Sequence, residues 1–456
     1  MRTKSTRQAY LDMCLPSSTT RVVETYCKKY SAIDKILLDN PTLLDLAHAD
    51  FARRLSDSDD GRESRYTSEE LLRTLVVLFL EQDSYRDVVV RIETSEFLRS
   101  FIGLGFYKPM MNFTLVSKAF SALSAETWKT MNEVLSQYAR AGEKITGARM
   151  RVDTTVYEAH IHYPTDSSLL WDSYRVLARQ LLEFQREYRE LGLNHRYHTK
   201  KVKKLAQLIG RNAGSKSKSK QKRVTRWYRT LIDRVRWIVE IAKNIKAVSA
   251  SMLVDLLTLE HFAVLAERVM DQARRRIFQG EKVPADEKLY SIFEEHVELL
   301  MRGKAGKPVE FGHMVVVAQT GEKFITHYRS LPEREGDPEL LPESLDAHRK
   351  LFGGAPSVLA TDKGFYSSAQ QLAALEETIE TVSICKKGRL TEQQSAREHT
   401  KEFQDGQRFR SGVEGSISVL KRAFKLNRCF FKGIENFAAS VGCAVFCHNL
   451  VLLARL

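Results

Sequence analysis

A strand pattern at residues 146–163, with Val152, Val156 and Ile161 among β-branched neighbours, is not followed by a second strand. Helical spacing takes over across 166–303, and strand patterns resume only at Phe311. Any sheet that joins these strands must take a long helical segment as an insertion after its first strand. Within that segment Leu170, Tyr174, Leu177, Leu181, Phe184, Tyr188 and Leu191 recur at alternating spacings of four and three. Val224, Tyr228, Leu231, Val235, Ile238, Ala242 and Ile245 do the same. Two such seams let two long helices pack along their length. Between them, Gly214 to Lys220 alternates Ser and Lys and reads as a flexible, charged hairpin or tip.

After the insertion, His313–Ala318 and Lys323–Tyr328 flank Thr320-Gly321-Glu322, the pattern of a β-hairpin with a glycine turn. The acid- and proline-rich stretch Leu331–Pro342 reads as a loop, Leu345–Phe352 as a helix, and Gly353-Gly354-Ala355-Pro356 as its break. Ser357–Thr361 is a strand, Ser367–Thr378 a helix and Thr381–Cys385 a further strand. Residues 1–145 read as helical throughout. Leu71, Leu72, Leu75, Val76, Leu78 and Phe79 make one apolar face behind the start signal Thr67-Ser68-Glu69-Glu70, and further helices are predicted over 84–101 and 121–139. No helix-turn-helix pattern is clear enough there to name a recognition helix.

The net charge of +14 points to a polyanionic partner, nucleic acid before a membrane surface. It is concentrated. Residues 195–236 hold 15 Lys or Arg against the single Asp233, a surplus equal to that of the whole chain. Lys216, Lys218, Lys220, Lys222 and Arg223 cluster at the tip and are candidate DNA contacts. Trp227, Tyr228 and Trp237 lie among the cations and are candidates for stacking on unpaired bases, although Tyr228 also fits the apolar seam. The six cysteines, Cys14, Cys27, Cys385, Cys429, Cys443 and Cys447, have neither paired metal spacing nor the density of a disulfide framework, which fits a reducing cytosol. Phe437–Ala454 is apolar enough to raise a membrane span, but Ser440, Gly442, His448 and Asn449 near its middle favour a buried final helix.

Three acids stand where chemistry would use them. Asp153 lies in the first strand, Asp362 ends the run Ser357–Thr361 and is followed by Lys363-Gly364, and Glu414 opens an amphipathic stretch running to Arg422. Carboxylates from two strand ends and one helix face can converge on two hard cations, the arrangement used for in-line phosphoryl transfer. An oxygen-only donor set suits two Mg²⁺ or Mn²⁺ ions. Arg410 and Lys421 share roughly the helix face of Glu414 and could grip phosphates. Lys386 and Lys387 follow a strand and are further candidate DNA contacts. Glu158, Asp166, Glu402 and Asp405 are the rival acids, with Asp166 expected to cap the first inserted helix.

The blocks Asp153–Val156 with Ile161–Leu170, Ala360–Tyr366, and Arg410, Glu414 and Lys421 together resemble bacterial insertion-sequence transposases of the DDE type, in the IS4-, IS5-, IS1182- and ISNCY-like groups. In one respect the chain departs from the pattern. Gln407 stands where the family tyrosine would fall, so the role of that tyrosine is not carried over. The resemblance implies an α/β fold: an RNase H-like catalytic core, a mixed sheet with helices, interrupted by a long helical insertion and preceded by an all-α N-terminal domain. The order strand, insertion, then β-β-α-β-α-β-α agrees with it. The expected layout is a helical DNA-binding or assembly domain at 1–145, the core at 146–165 and 304–456, and the basic insertion at 166–303. The implied activity is metal-dependent cleavage at element ends and strand transfer into target DNA, with Asp153, Asp362 and Glu414 as catalytic and metal-holding residues. Double-stranded DNA, a homodimeric active complex, no membrane and a cytoplasmic, nucleoid-associated location follow from the same resemblance. A DNA-binding derivative without turnover, or a nuclease without strand transfer, are the alternatives that the sequence leaves open.

Overall fold

The computed structural model describes residues 2–5, 20–55, 64–105, 107–247, 249–304 and 307–456; Cys14 lies outside them. The chain divides into two units, Met1–Glu158 with His313–Leu456, and Ala159–Gly312.

The first unit begins with α1 (Arg21–Asp39), α2 (Pro41–Arg54), α3 (Ser68–Leu80), α4 (Tyr85–Glu93), α5 (Glu96–Ile102), α6 (Phe113–Ala122) and α7 (Ala125–Ala141). Helix α3 starts with the expected capping box: the Thr67 hydroxyl accepts from the Glu70 amide while the Glu70 carboxylate accepts from the Thr67 amide. Every residue of α3 from Ser68 to Phe79 is buried. Its one arginine, Arg73, is held by Glu69 at 2.9 Å, Asp34 at 2.5 Å and the Phe101 carbonyl at 3.0 Å. The helices predicted over 84–101 and 121–139 are each divided. Ser95 accepts from the Leu98 amide and starts α5, and Ser124 accepts from the Thr127 amide and starts α7. Periodicity runs smoothly through such junctions; a serine N-cap does not continue the preceding helix.

Strand β1 (Arg149–Ala159) ends this first segment. The second unit follows with α8 (Asp166–Glu187), α9 (Thr199–Asn212), α10 (Lys218–Lys243), α11 (Leu253–Phe278) and β2 (Glu298–Lys304), which pairs antiparallel with the first half of β3 (Lys307–Thr320). The two predicted seams lie on α8 and α10, where Leu170, Tyr174, Leu177, Leu181, Leu231, Val235 and Ile238 are all buried in one core. Helix α11 packs against both, and so does α9, so the helices form a four-helix bundle. The Ser/Lys tip is a short link, since α10 already begins at Lys218. Helical structure ends at Phe278, well before 303; Gly280 in the left-handed region and Pro284 follow, and the chain then enters β2. The cap of α8 is Thr165, in a capping box with Ser168. Asp166 instead pairs with Arg276 at 2.8 Å.

The first unit resumes with the rest of β3, β4 (Ile325–Leu331), α12 (Asp337–Phe352), β5 (Val358–Thr361), α13 (Ala369–Glu376), β6 (Thr381–Ser383), α14 (Glu392–Glu398), α15 (Lys401–Ala423), β7 (Arg428–Cys429) and α16 (Ile434–Leu453). Helix α12 starts inside the stretch expected to be a loop. Its two prolines obscured the start signals: Pro338 in the first turn, where no amide partner is lost, and Asp337 and Glu339 facing the helix dipole. The sheet runs β3–β1–β5–β6, with β4 on β3 and β7 on β1. Strands β1, β5 and β6 are parallel, whereas β3 and β4 form the expected antiparallel hairpin. The fold is thus mixed α/β. Strand β1, buried almost throughout, is its central strand. Met150, Val152, Val316, Leu359, Phe365 and Val382 share a core with Leu340, Leu341 and Leu345 of α12.

Helix α16 is the one described helix long and apolar enough to cross a membrane, but 83% of its apolar window is buried inside the fold. Its buried Asn449 and Ser440 both have protein partners. Asn449 donates to the Ile325 carbonyl at 2.9 Å and accepts from the Ile325 amide at 3.1 Å, and Ser440 bonds Tyr157 at 3.0 Å. Cys443, Cys447 and His448 are buried in the same helix, as core packing predicts.

Candidate active site

The parallel pairing of β1 and β5 sets Val152 opposite Thr361. The next residue on each chain is therefore Asp153 and Asp362, side by side where β5 ends. Asp153 is only 8% exposed, and its Oδ1 accepts from the Thr154 amide at 2.7 Å. Asp362 caps the short 3-10 turn Lys363–Phe365, its Oδ1 accepting from the Gly364 amide at 2.8 Å.

Glu414 reaches this place on α15, which packs against β5 and β6. Three contacts fix the helix. A Cβ on Gly406 would lie 2.5 Å from the Ser383 Cβ, so only glycine lets α15 come this close to β6. Gln407 Nε2 donates to the Ser383 carbonyl at 2.8 Å and the Thr361 carbonyl at 3.4 Å, binding helix to both strand ends. Two residues before Asp153, Arg151 spends its guanidinium on the Phe409 carbonyl at 2.9 Å, Ser416 Oγ at 3.4 Å and Gln319 Oε1 at 2.9 Å. Burial, and then Arg149 beside it, pull the Arg151 pKa down to about 10, which leaves it charged at neutral pH. Gly412 leaves the room that this guanidinium occupies.

Arg410 is the link between the acids. Its Nη2 lies 3.6 Å from Asp153 Oδ2 and its Nη1 3.3 Å from Glu414 Oε1, while its Nε is buried without a hydrogen-bond partner among the described residues. The Glu414 side chain is 67% exposed. Among the described residues, no three His, Cys, Asp or Glu side chains gather closely enough to hold a metal ion. The geometry brings Asp153 and Asp362 together through the sheet, and ties Glu414 to Asp153 through Arg410.

The other sequence candidates are placed as follows. Lys387 Nζ donates to the Gly364 carbonyl at 2.8 Å, beside Asp362. Lys386 Nζ bonds Gln394 at 2.8 Å. Lys421 Nζ donates to the Val156 carbonyl at 2.8 Å, bracing α15 against β1. Lys216, Lys218, Lys220, Lys222 and Arg223 are exposed on the second unit. Of the rival acids, Glu158 lies 3.7 Å from Arg428 and Asp405 pairs with Arg408 at 2.8 Å. Sequence reading missed Asp337. Its Oδ1 accepts from Thr154 Oγ1 at 3.3 Å, and a Cβ on Gly364 would lie 2.5 Å from its Oδ2 and 2.8 Å from Asp362 Oδ1. The available signal was Asp337-Pro338 as a helix start. Arg151, Gln319 and Ser383 were missed too, and only the paired glycines of α15 hinted at so close an approach.

Residues 376–454, from the end of α13 through α16, match a family model described as transposase DDE domain. The similarity to a transposase DDE domain spans 79 of the 456 residues. No curated protein and no solved structure matches it. The matched transposase segment contains Lys386, Lys387, Arg410, Glu414 and Lys421, whereas Asp153 and Asp362 come to it from strands outside the match.

Proposed function

We propose that this transposase cleaves phosphodiester bonds at the ends of a DNA element and joins the freed 3′-hydroxyl to target DNA, on an RNase H-like core formed by the β3–β1–β5–β6 sheet and its helices. The observation that carries the reading is the register of β1 with β5, which sets Asp153 beside Asp362 under a helix bearing Glu414. Two parallel strand ends bring the Asp153 and Asp362 carboxylates together, and Arg410 on the crossing helix links Asp153 to Glu414.

The proposed donor set fits a hard divalent cation, since it is made of carboxylate oxygens. The Arg410 guanidinium between Asp153 and Glu414 also marks the position as one that accommodates positive charge. Asp153, Asp362 and Glu414 would hold Mg²⁺ or Mn²⁺. When bound, such ions lower the pKa of an attacking water or hydroxyl and offset charge on the leaving oxygen. Arg410 orients Asp153 and Glu414 and offers its remaining hydrogen-bonding capacity to a phosphate. Lys387 holds the turn that carries Asp362. The working complex is a homodimer, one chain for each DNA end, in the cytoplasm.

Asp153→Ala, Asp362→Ala and Glu414→Ala should each abolish cleavage and joining of element ends in Mg²⁺ or Mn²⁺ while leaving end binding and thermal melting close to wild type. Full activity in excess chelator, or substantial cleavage by any of the three variants, would overturn the assignment. Unimpaired end binding with no cleavage by the unaltered protein in either metal would favour a DNA-binding protein without turnover.

A further inference from the structure

The four helices of the second unit share the bundle core but not the charge. Helix α9 carries five Lys or Arg and no acid, and α10 carries nine against two. Helix α8 carries three against four, and α11 four against four. The two basic helices pack against one another, so their outer faces adjoin. Lys218, Lys222, Arg226 and Arg229 fall at helical spacing along one side of α10, and Lys200, Lys204 and Arg211 along one side of α9; all are exposed. The α10 row spans about 17 Å at 1.5 Å per residue, or about five phosphate steps of one DNA strand at 3.4 Å each.

What this face lacks decides its partner. Tyr228 is buried in the bundle, and Trp227 and Trp237 pack against its core, Trp237 with His195 and Tyr197 at 5.8 and 6.0 Å between ring centroids. Among the described residues, no large apolar or aromatic side chain of α9 or α10 is exposed. A single-strand binder needs aromatic faces for its bases, and a membrane-surface helix needs an apolar face to sink into the headgroups. This surface offers neither. We infer that the α9–α10 face binds the phosphate backbone of duplex DNA without regard to sequence. The inference rests on the transposase reading for its choice of DNA, and assigns this unit the work of holding the duplex apart from the chemistry.

The test is equilibrium binding of the full chain to a random-sequence duplex in the absence of divalent metal, followed against salt concentration. The variant Lys218→Gln/Lys222→Gln/Arg226→Gln/Arg229→Gln alters only exposed positions. Its slope of log K against log salt should flatten by about 0.9 per lost phosphate contact, up to about 3.6 for four. The matching variant in which Lys218 and Lys222 become Arg should keep the wild-type slope. A slope unchanged in the Gln variant overturns the inference. So does tighter binding of the unaltered chain to a single strand of equal length, or to anionic phospholipid vesicles, than to the duplex. Failure of the unaltered chain to bind any DNA would instead overturn the proposed function itself.

Discussion

Replacing Gly406 with alanine tests whether the close seating of α15 on β6 is what places Glu414. The new methyl would stand 2.5 Å from the Ser383 Cβ, an atom fixed by the strand rather than the movable end of a long side chain. Ordinary contact begins near 3.4 Å, so the helix must rise by roughly 1 Å. Overpacking of this kind costs about 1–3 kcal/mol. The rise also stretches the Gln407–Ser383 bond and the 2.8 Å bond from Ser383 Oγ to the Phe403 carbonyl, each worth about 0.5–1.5 kcal/mol. Alanine returns about 1 kcal/mol of helix propensity, leaving a net loss of about 1–5 kcal/mol. Gly415→Ala is the internal control: it lies on the same helix with nothing within 4 Å of the added carbon, so it should be neutral or up to about 1 kcal/mol more stable. Urea denaturation measures both. Because a displacement of about 1 Å can cost about a hundredfold in rate, cleavage by Gly406→Ala should fall by that order even at temperatures where the protein is folded. A Gly406→Ala protein as stable and as active as the Gly415→Ala protein would refute the packing argument, and with it the placement of Glu414.

Two further outcomes follow from the buried polar groups. Asn449→Leu strands the amide and carbonyl of Ile325 in the interior and should lower stability by about 1–3 kcal/mol for each unpaired group, read by thermal or urea unfolding; an unchanged midpoint would mean that β4 does not depend on α16. Burial lowers the pKa of His327 and of His448 to about 4. In the unfolded chain both bind protons from about pH 6.5 downward, whereas in the folded chain they do so only near pH 4. Stability should therefore fall as pH drops from about 6.5 towards 4, and His448→Gln should reduce that slope; an identical slope in the variant would remove His448 from the account.

The parts of this fold that were legible in the sequence are those written as periodicity. The seams of α8 and α10, the β3–β4 hairpin around Gly321 and the strand ending at Asp362 all depend on neighbours a few residues away, which a single chain displays. Helix junctions were blurred because Ser95 and Ser124 interrupt hydrogen bonding without interrupting the apolar pattern. Helix α12 was hidden because Pro338 and Pro342 are breakers in most contexts but tolerable near a helix start. The settings of Asp153, Asp362 and Glu414 are local and readable, whereas the contacts that surround them are not. Arg151 reaching Phe409, Gln407 reaching Ser383 and Asp337 reaching Thr154 are contacts between residues far apart in sequence, with no local signature. The residue at 407 illustrates the difference: as a departure from a pattern it carried no meaning, whereas in the fold it ties a helix to two strand ends.

The register that sets Arg149 opposite Val358 also imposes an order of events on the growing chain. When β1 leaves the ribosome, its parallel partner has not been synthesised, and the whole of the second unit must be made first. That unit is rich in contacts between successive helices, so it can form quickly and locally while β1 waits with open edges. A prefolded bundle shortens the effective loop between Asp153 and Asp362, and loop-closure entropy grows with the length of flexible chain to be closed. The final steps belong to α15 and α16, the last helices to be made. Asp153 and Asp362 therefore stand side by side only late in synthesis, after the basic helices of the second unit have all been made.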